Sequence, residues 1–372
     1  MKKVLTVIPT LTGGGAERVC LRLHELFLER GVDSHIIVLS EKVTYDCEEL
    51  PNIHILPNKN VRNLDLFGKA KFLSKLLEKK IYDLTKSSKP FAAIYSHLDE
   101  SNVVVRKLGL DIPTFYVVHS SIKGELDTAR NNNFIKYLRL KAKKKALNGQ
   151  SIIAVSEGVK QDLLKISWLK NLKVKTIYNP INIDRVQVLS KEELTSELLP
   201  EGPFLLHIGR FAKAKRHDVL LDAFKDLLQL KPKIKLVLLV NPDSKIKSAI
   251  ASRGLIDHVV LPGFTNNPFS WMKQASLVIL SSSYEGFPNV LVESIICGTP
   301  FVSTDCDHGP REIVKDYAES WLVPPNSPLK LSSKINALMN HLPPVEPENW
   351  PLLHKVKPDF AVDGYLGLID KE

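Results

Sequence analysis

The chain has 372 residues, 44% of them apolar, which is more than one hydrophobic core holds, so two globular domains are expected. Its formal charge of +10 is one-sided: residues 1–178 carry 30 Lys and Arg against 18 Asp and Glu, and residues 179–372 carry 21 against 23. An anionic lipid, an anionic saccharide or a nucleic acid would therefore meet the first half, and with few aromatics interleaved and no helix-turn-helix, RNA-recognition or zinc-finger pattern the nucleic acid is the least favoured.

Met1-Lys-Lys runs straight into a strand-like segment with no small-residue cleavage site, and no run of eighteen apolar residues follows, so a cytoplasmic protein without signal peptide or membrane span is expected. Short β-branched runs then alternate with helical periodicity. Strands are predicted at 4–8, 34–39, 92–95, 114–118, 152–155 and 175–178. After Tyr178-Asn-Pro180 the pattern restarts at 204–208, 235–240, 258–261, 277–280, 301–304 and 321–323. This alternation means parallel α/β architecture. Two doubly wound, Rossmann-like domains are expected, residues 1–178 and 179–357, with a last helix in 358–372 crossing back to the first. Ligands of such sheets bind outside the strands' carboxyl ends, so a ligand in a cleft between facing domains would touch both sets of loops.

Thr12-Gly-Gly-Gly15-Ala-Glu17-Arg18 joins the first strand to an amphipathic segment. A glycine-rich strand-to-helix turn lets backbone approach a ligand and offers helix amides to phosphate, or simply turns tightly. The spacing is not G-x-G-x-x-G, which disfavours a dinucleotide. Residues 64–82 and 134–147 are both basic amphipathic patterns. The first sets Leu66, Phe67, Ala70, Leu73, Leu76 and Leu77 among Lys69, Lys71, Lys75, Lys79 and Lys80. The second sets Phe134, Leu138, Ala142 and Ala146 among Arg139, Lys141, Lys143, Lys144 and Lys145. Each fits a surface helix packed on the sheet or a helix lying on anionic lipid.

His119 ends the run 114–118 and can orient a substrate hydroxyl, whereas His207 and His217 are given structural roles. Gly209-Arg210 and Lys215 follow the first strand of the second half, where an Arg fork and a Lys point charge can neutralise a diphosphate. Gly263 and Phe264 close another strand with bared backbone, a slot for a nucleobase. The stretch 281–300 sets Glu285 and Glu293 eight residues apart across a turn-to-helix junction opened by Gly286 and Pro288. The amides of Asn289, Val290 and Leu291 would take a phosphate and the two carboxylates sugar or ribose hydroxyls. Asp305-Cys-Asp307 is read as a turn and cap rather than a metal site, and Cys20, Cys47, Cys297 and Cys306 as reduced thiols without zinc or disulfide spacing.

Taken together, Gly13-Gly-Gly-Ala-Glu-Arg-Val19, Ile153-Ala-Val-Ser156-Glu-Gly-Val159, Tyr178-Asn-Pro-Ile181, Gly209-Arg210 with Lys215, Leu261-Pro-Gly-Phe264, the 285–293 stretch and Gly309-Pro-Arg-Glu-Ile-Val314 resemble bacterial glycosyltransferase family 4 over nearly the whole chain. The resemblance implies the GT-B fold and retaining transfer from a nucleotide sugar. It puts Glu285 on the donor sugar, Glu293 on the ribose, Arg210 and Lys215 on the diphosphate, and His119 near the reacting carbon. Gly14 and Gly15 would lie between donor phosphate and acceptor, and Gly263, Phe264, Gly286, Phe287, Asn289, Val290 and Leu291 would line the donor. No cofactor or metal is implied. Arg216 stands where the family usually has Gly, and Ile295-Ile296-Cys297 replaces small residues before Gly298. The expected activity is transfer of a hexosyl or N-acetylhexosaminyl group, from a UDP-sugar, to a saccharide or lipid-linked saccharide of surface polysaccharide such as lipopolysaccharide, O-antigen or capsule. The work would be done in the cytoplasm or on the inner membrane face. An epimerase or glycan phosphorylase of the same fold, or a non-catalytic membrane scaffold, remains open at this level.

Overall fold

A computed structural model describes residues 1–43, 50–57, 66–194, 197–315 and 318–370. Cys47 and the start of the 64–82 pattern, including the Leu66 and Phe67 side chains, lie outside the described set. The chain forms two units, Met1–Pro180 with Pro358–Glu372, and Ile181–Lys357.

The first unit begins β1 (Lys3–Ile8), α1 (Gly15–Glu29), β2 (Asp33–Val38), β3 (Ile53–Ile55), α2 (Leu66–Thr85), β4 (Ala93–His97), α3 (Leu98–Val105) and β5 (Thr114–Val118). It continues with α4 (Ile122–Asn132), α5 (Phe134–Lys144), β6 (Ser151–Ala154), α6 (Glu157–Lys165) and β7 (Lys173–Thr176). The second unit holds α7 (Ile183–Ser190), β8 (Phe204–Ile208), α8 (His217–Leu228), β9 (Lys235–Leu239), α9 (Ser244–Ala251), β10 (Val259–Val260) and α10 (Pro268–Gln274). There follow β11 (Leu277–Leu280), α11 (Asn289–Ile296), β12 (Phe301–Thr304), α12 (Pro310–Val314), β13 (Leu322–Val323), α13 (Pro328–Asn340) and α14 (Leu352–Lys355), before α15 (Pro358–Ile369) rejoins the first unit.

Both sheets are parallel, with orders β3-β2-β1-β4-β5-β6-β7 and β10-β9-β8-β11-β12-β13. β3, absent from the predicted strands, has three residues, too short for a periodic signal. β7 starts two residues before the predicted 175–178 because it is an edge strand, with exposed Lys173 and Lys175 alternating with Val174 and Thr176. Each sheet reverses its order once, at β1/β4 and at β8/β11, and loops leaving such a pair of strands splay apart to form a crevice.

Strands buried on both faces are mostly apolar, and β1, β4 and β11 have every residue buried, with Lys3 and Thr6 in β1 and Ser96 and His97 in β4 as the polar exceptions. α2 buries Ala70, Leu73, Leu77 and Ile81, each at most 4% exposed; a leucine buried this completely contributes about 1.5–3 kcal/mol. α15 is held by the Tyr95 hydroxyl, which donates to Tyr365 O at 2.8 Å, and by the edge-to-face contact of these rings at 4.9 Å. Gly364 lets this helix approach closely, since a Cβ there would lie 3.2 Å from the Ile177 side chain.

Candidate functional site

In the second unit the switch point is built from the loop after β8 and the turn after β11. Lys215 Nζ donates to Glu285 Oε1 at 2.6 Å, with the two side chains 25% and 12% exposed. Three serines the sequence reading passed over fasten the turn. Ser281 Oγ donates to Lys215 O at 2.7 Å, Ser282 Oγ to Glu285 Oε1 at 2.6 Å, and Ser283 N to Ala214 O at 2.8 Å. From β12, Thr304 Oγ1 donates to Ser282 O at 2.6 Å, and Glu285 N donates to Asp307 O at 3.2 Å. A signal was available, because three successive hydroxyls at a strand exit are turn formers. Arg210 leaves the same loop exposed to solvent.

His207 and His217 form the floor under that loop, ring centroids 4.7 Å apart, and His207 Nδ1 bonds Ile279 O at 2.9 Å. Burial holds His207 at about 4; burial together with the neighbouring His207 and Lys215 holds His217 at about 3, so both are neutral. Arg216, the departure from the family's glycine, adopts the left-handed conformation (φ 49°, ψ 50°) that glycine favours. Its guanidinium is tied to Asp218 at 2.8–3.1 Å and to Asn326.

Glu293 is buried in α11. Pro288 sits one position before the helix, and the Leu291 amide donates to Pro288 O at 3.0 Å, so this amide turns inward where it was expected to face a phosphate. The Phe287 and Leu291 side chains are core, which leaves only backbone to meet a ligand there. Gly286 and Pro288 pack on Gly309, where a Cβ would lie 2.3 Å from Pro288 Cδ. Asn289 and Val290 head the helix half-buried, Gly263 lies three residues past the end of β10 with φ +90°, and Phe264 is exposed beside it. Asp305 is paired with Arg311. Among the described residues no three His, Cys, Asp or Glu are placed to hold a metal ion.

In the first unit, the loop after β1 is organised by a residue the sequence reading gave no role. Buried Glu17 accepts from Gly14 N at 2.6 Å, Thr12 N at 2.8 Å and Thr10 Oγ1 at 2.5 Å, so the Gly14 amide is engaged inside the loop and Gly15 opens α1. Across the switch point β4 ends at His97, whose Nδ1 is 2.8 Å from His119 Nε2 at the end of β5. Burial lowers His119 to about 4 and His97 well below its ordinary value, so a neutral pair shares one proton along this contact. Nothing in the sequence marks His97, because a second histidine 22 positions earlier carries no local motif.

Comparison with known proteins matches residues 13–185 to the model described as Glycosyltransferase Family 4 and residues 190–346 to that described as Glycosyl transferases group 1. The chain is 28% identical over 336 residues to the N-acetylgalactosamine-N,N'-diacetylbacillosaminyl-diphospho-undecaprenol 4-alpha-N-acetylgalactosaminyltransferase of Campylobacter jejuni, covering 87% of this chain and 86% of that one. To the lipopolysaccharide 1,6-galactosyltransferase of Escherichia coli it is 28% identical over 59% of this chain and 56% of that one. Among solved structures it resembles Anabaena HepE in complex with UDP-glucose, with TM-score 0.76, 17% identity and full coverage of both chains. Two parallel Rossmann-like units, the motif order and matches that take in most of the chain agree: this protein belongs to the family 4 glycosyltransferases of GT-B fold.

Proposed function

We propose that this glycosyltransferase moves a hexosyl or N-acetylhexosaminyl group from a UDP-sugar to a saccharide or lipid-linked saccharide of bacterial surface polysaccharide, with retention of anomeric configuration and without a metal. The observation that carries the reading is the Lys215–Glu285 pair, a fixed cation and a fixed carboxylate at a sheet switch point. The printed activities of the relatives, one acting on an undecaprenol-linked saccharide, and the UDP-glucose bound to HepE support it.

Under this reading Lys215 and Arg210 stabilise the negative charge that develops on the leaving diphosphate, and Glu285 accepts from hydroxyls of the donor sugar. Glu293 takes the ribose, Gly263 and Phe264 the base, and the backbone of 286–290 the phosphates. In the first unit His119, kept neutral, can donate to or accept from a sugar hydroxyl, and the backbone of Gly15 at the head of α1 is offered to a ligand at that unit's switch point, the Gly14 amide being held by Glu17. The bond from the sugar's anomeric carbon to the diphosphate breaks as the bond to the acceptor oxygen forms, and the acceptor's proton passes to the leaving phosphate oxygen on the same face. A lipid-linked acceptor would put the enzyme at the inner face of the cell membrane.

A thermal-shift screen against UDP, UDP-hexoses and UDP-N-acetylhexosamines identifies the donor, since a ligand of the native state raises apparent stability. Release of UDP from that donor is then followed in Arg210→Ala, Lys215→Ala and Glu285→Gln. Rates within a few-fold of wild type in all three would remove the site assignment. An epimerised donor formed without acceptor would replace transfer by the alternative chemistry.

A further inference from the structure

The two basic amphipathic segments have opposite fates. α2 turns its apolar residues into the unit, whereas α5 turns them out. At 100° per residue Phe134, Ile135, Leu138 and Ala142 share one arc of α5. That arc meets water: Phe134 is 62% exposed, Ile135 60% and Leu138 48%. The opposite arc, Tyr137, Leu140 and Lys144, is the one packed on the protein.

Lys144 fixes this orientation. Its ammonium is buried, 2.9 Å from Asp99 and 2.5 Å from Glu125. Rolling the helix to hide Phe134 would strand two carboxylates and expel their cation, so the outward apolar face is built in. Lys136, Arg139 and Lys145 are exposed around that face, with Lys141 at its border over the Tyr137 and Trp168 rings at 5.9 and 5.4 Å. From residue 128 to residue 156 there is no Asp or Glu. Large apolar side chains outward, ringed by cations without an anion among them, match the boundary between acyl chains and anionic headgroups.

We propose that α5 docks this protein in the plane of an anionic lipid bilayer. Phe134, Ile135 and Leu138 enter the headgroup boundary and Lys136, Arg139, Lys141 and Lys145 meet lipid phosphates. The assignment stands apart from the reaction proposed above.

Flotation of the full chain with vesicles of phosphatidylcholine alone, and of phosphatidylcholine mixed with phosphatidylglycerol, tests it. Wild type is expected to float with the mixed vesicles, less so at high salt. Phe134→Ser/Ile135→Ser/Leu138→Ser, at exposed positions and checked by its melting temperature, is expected to bind about tenfold or more weakly. Lys136→Glu/Arg139→Glu is expected to lose the preference for anionic vesicles. Should the triple variant misfold, Phe134→Trp gives an independent readout, a blue shift on mixed vesicles only of the emission it adds over wild type, whose four tryptophans set the background. Equal flotation of wild type and the triple variant, no binding by wild type, or an unshifted Trp emission would each overturn the proposal. So would a wild-type dimer made monomeric by the triple change, which would give the face to a second copy of the chain.

Discussion

Lys215 Nζ and Glu285 Oε1 meet at 2.6 Å although they lie 70 residues apart in the chain. Their loops are laced by the hydroxyls of Ser281, Ser282 and Ser283, so the pair is held before any ligand arrives. A fixed cation needs no reorganisation when charge develops on a leaving phosphate, and such preorganised groups are worth roughly a hundred-fold to a thousand-fold in rate. Lys215→Ala is therefore expected to lower kcat by about that factor, and Glu285→Gln to lower kcat/KM by at least tenfold. Steady-state release of UDP with each variant checks both.

Glu17 satisfies two loop amides and a threonine hydroxyl with one carboxylate. Hydrogen bonds to a charged group contribute about 1.5–3 kcal/mol each, and the groups left behind can recruit water in part. Glu17→Ala should cost about 2–4 kcal/mol in urea denaturation. It should also speed hydrogen exchange at the Gly14 amide, whereas unchanged exchange there would show that the loop holds its shape without the carboxylate.

Several imidazoles are depressed by burial from the ordinary value of 6.5: His54, His119 and His207 to about 4, His217 to about 3, and His24, His35 and His97 in the same direction. In the window below 6.5 the unfolded chain binds protons that the folded chain refuses. Stability from these groups is thus whole above about pH 6.5 and is lost as pH falls from there through about 4, by at most ~1.4 kcal/mol per pH unit for each imidazole. Urea midpoints measured across that range should fall steadily toward acid; a flat profile would contradict the buried neutral state.

Gly309 adopts φ +96°, and a Cβ on it would overlap Pro288 and crowd Gly286 O at 3.2 Å. Gly309→Ala should cost about 1–3 kcal/mol through overpacking and push the 286–288 turn away from the head of α11. The melting temperature and the thermal shift given by UDP should fall together. A lower melting temperature with an unchanged UDP shift would separate the turn from donor binding.

Arg216 holds a conformation that costs a side-chain-bearing residue roughly 1 kcal/mol, while its partly exposed pair with Asp218 returns about 0–1 kcal/mol. Arg216→Gly should leave stability within about 1 kcal/mol of wild type and leave turnover intact. A large loss of activity would give this guanidinium a direct place in the site.

The alternation of strands and helices is legible in the residues alone, because strands buried on both faces are mostly apolar runs such as Leu277–Leu280, and so are the motifs at the strand exits, because they are short local patterns. The sequence could not locate β3 or the start of β7, where a short or half-exposed edge strand buries too little to leave a pattern. Nor could it see which distant groups meet. Glu17 reads as an ordinary first-turn acid, His97 as an isolated histidine, and the three serines as a plain turn, until the fold closes them on Gly14, His119 and Lys215–Glu285. The sharpest case is the pair α2 and α5, alike in sequence as basic amphipathic helices. Leu73 and Leu77 are buried while Phe134 and Leu138 face water, because periodicity fixes that a helix has two faces, and only tertiary contacts, here Lys144 drawn between Asp99 and Glu125, decide which face is turned in.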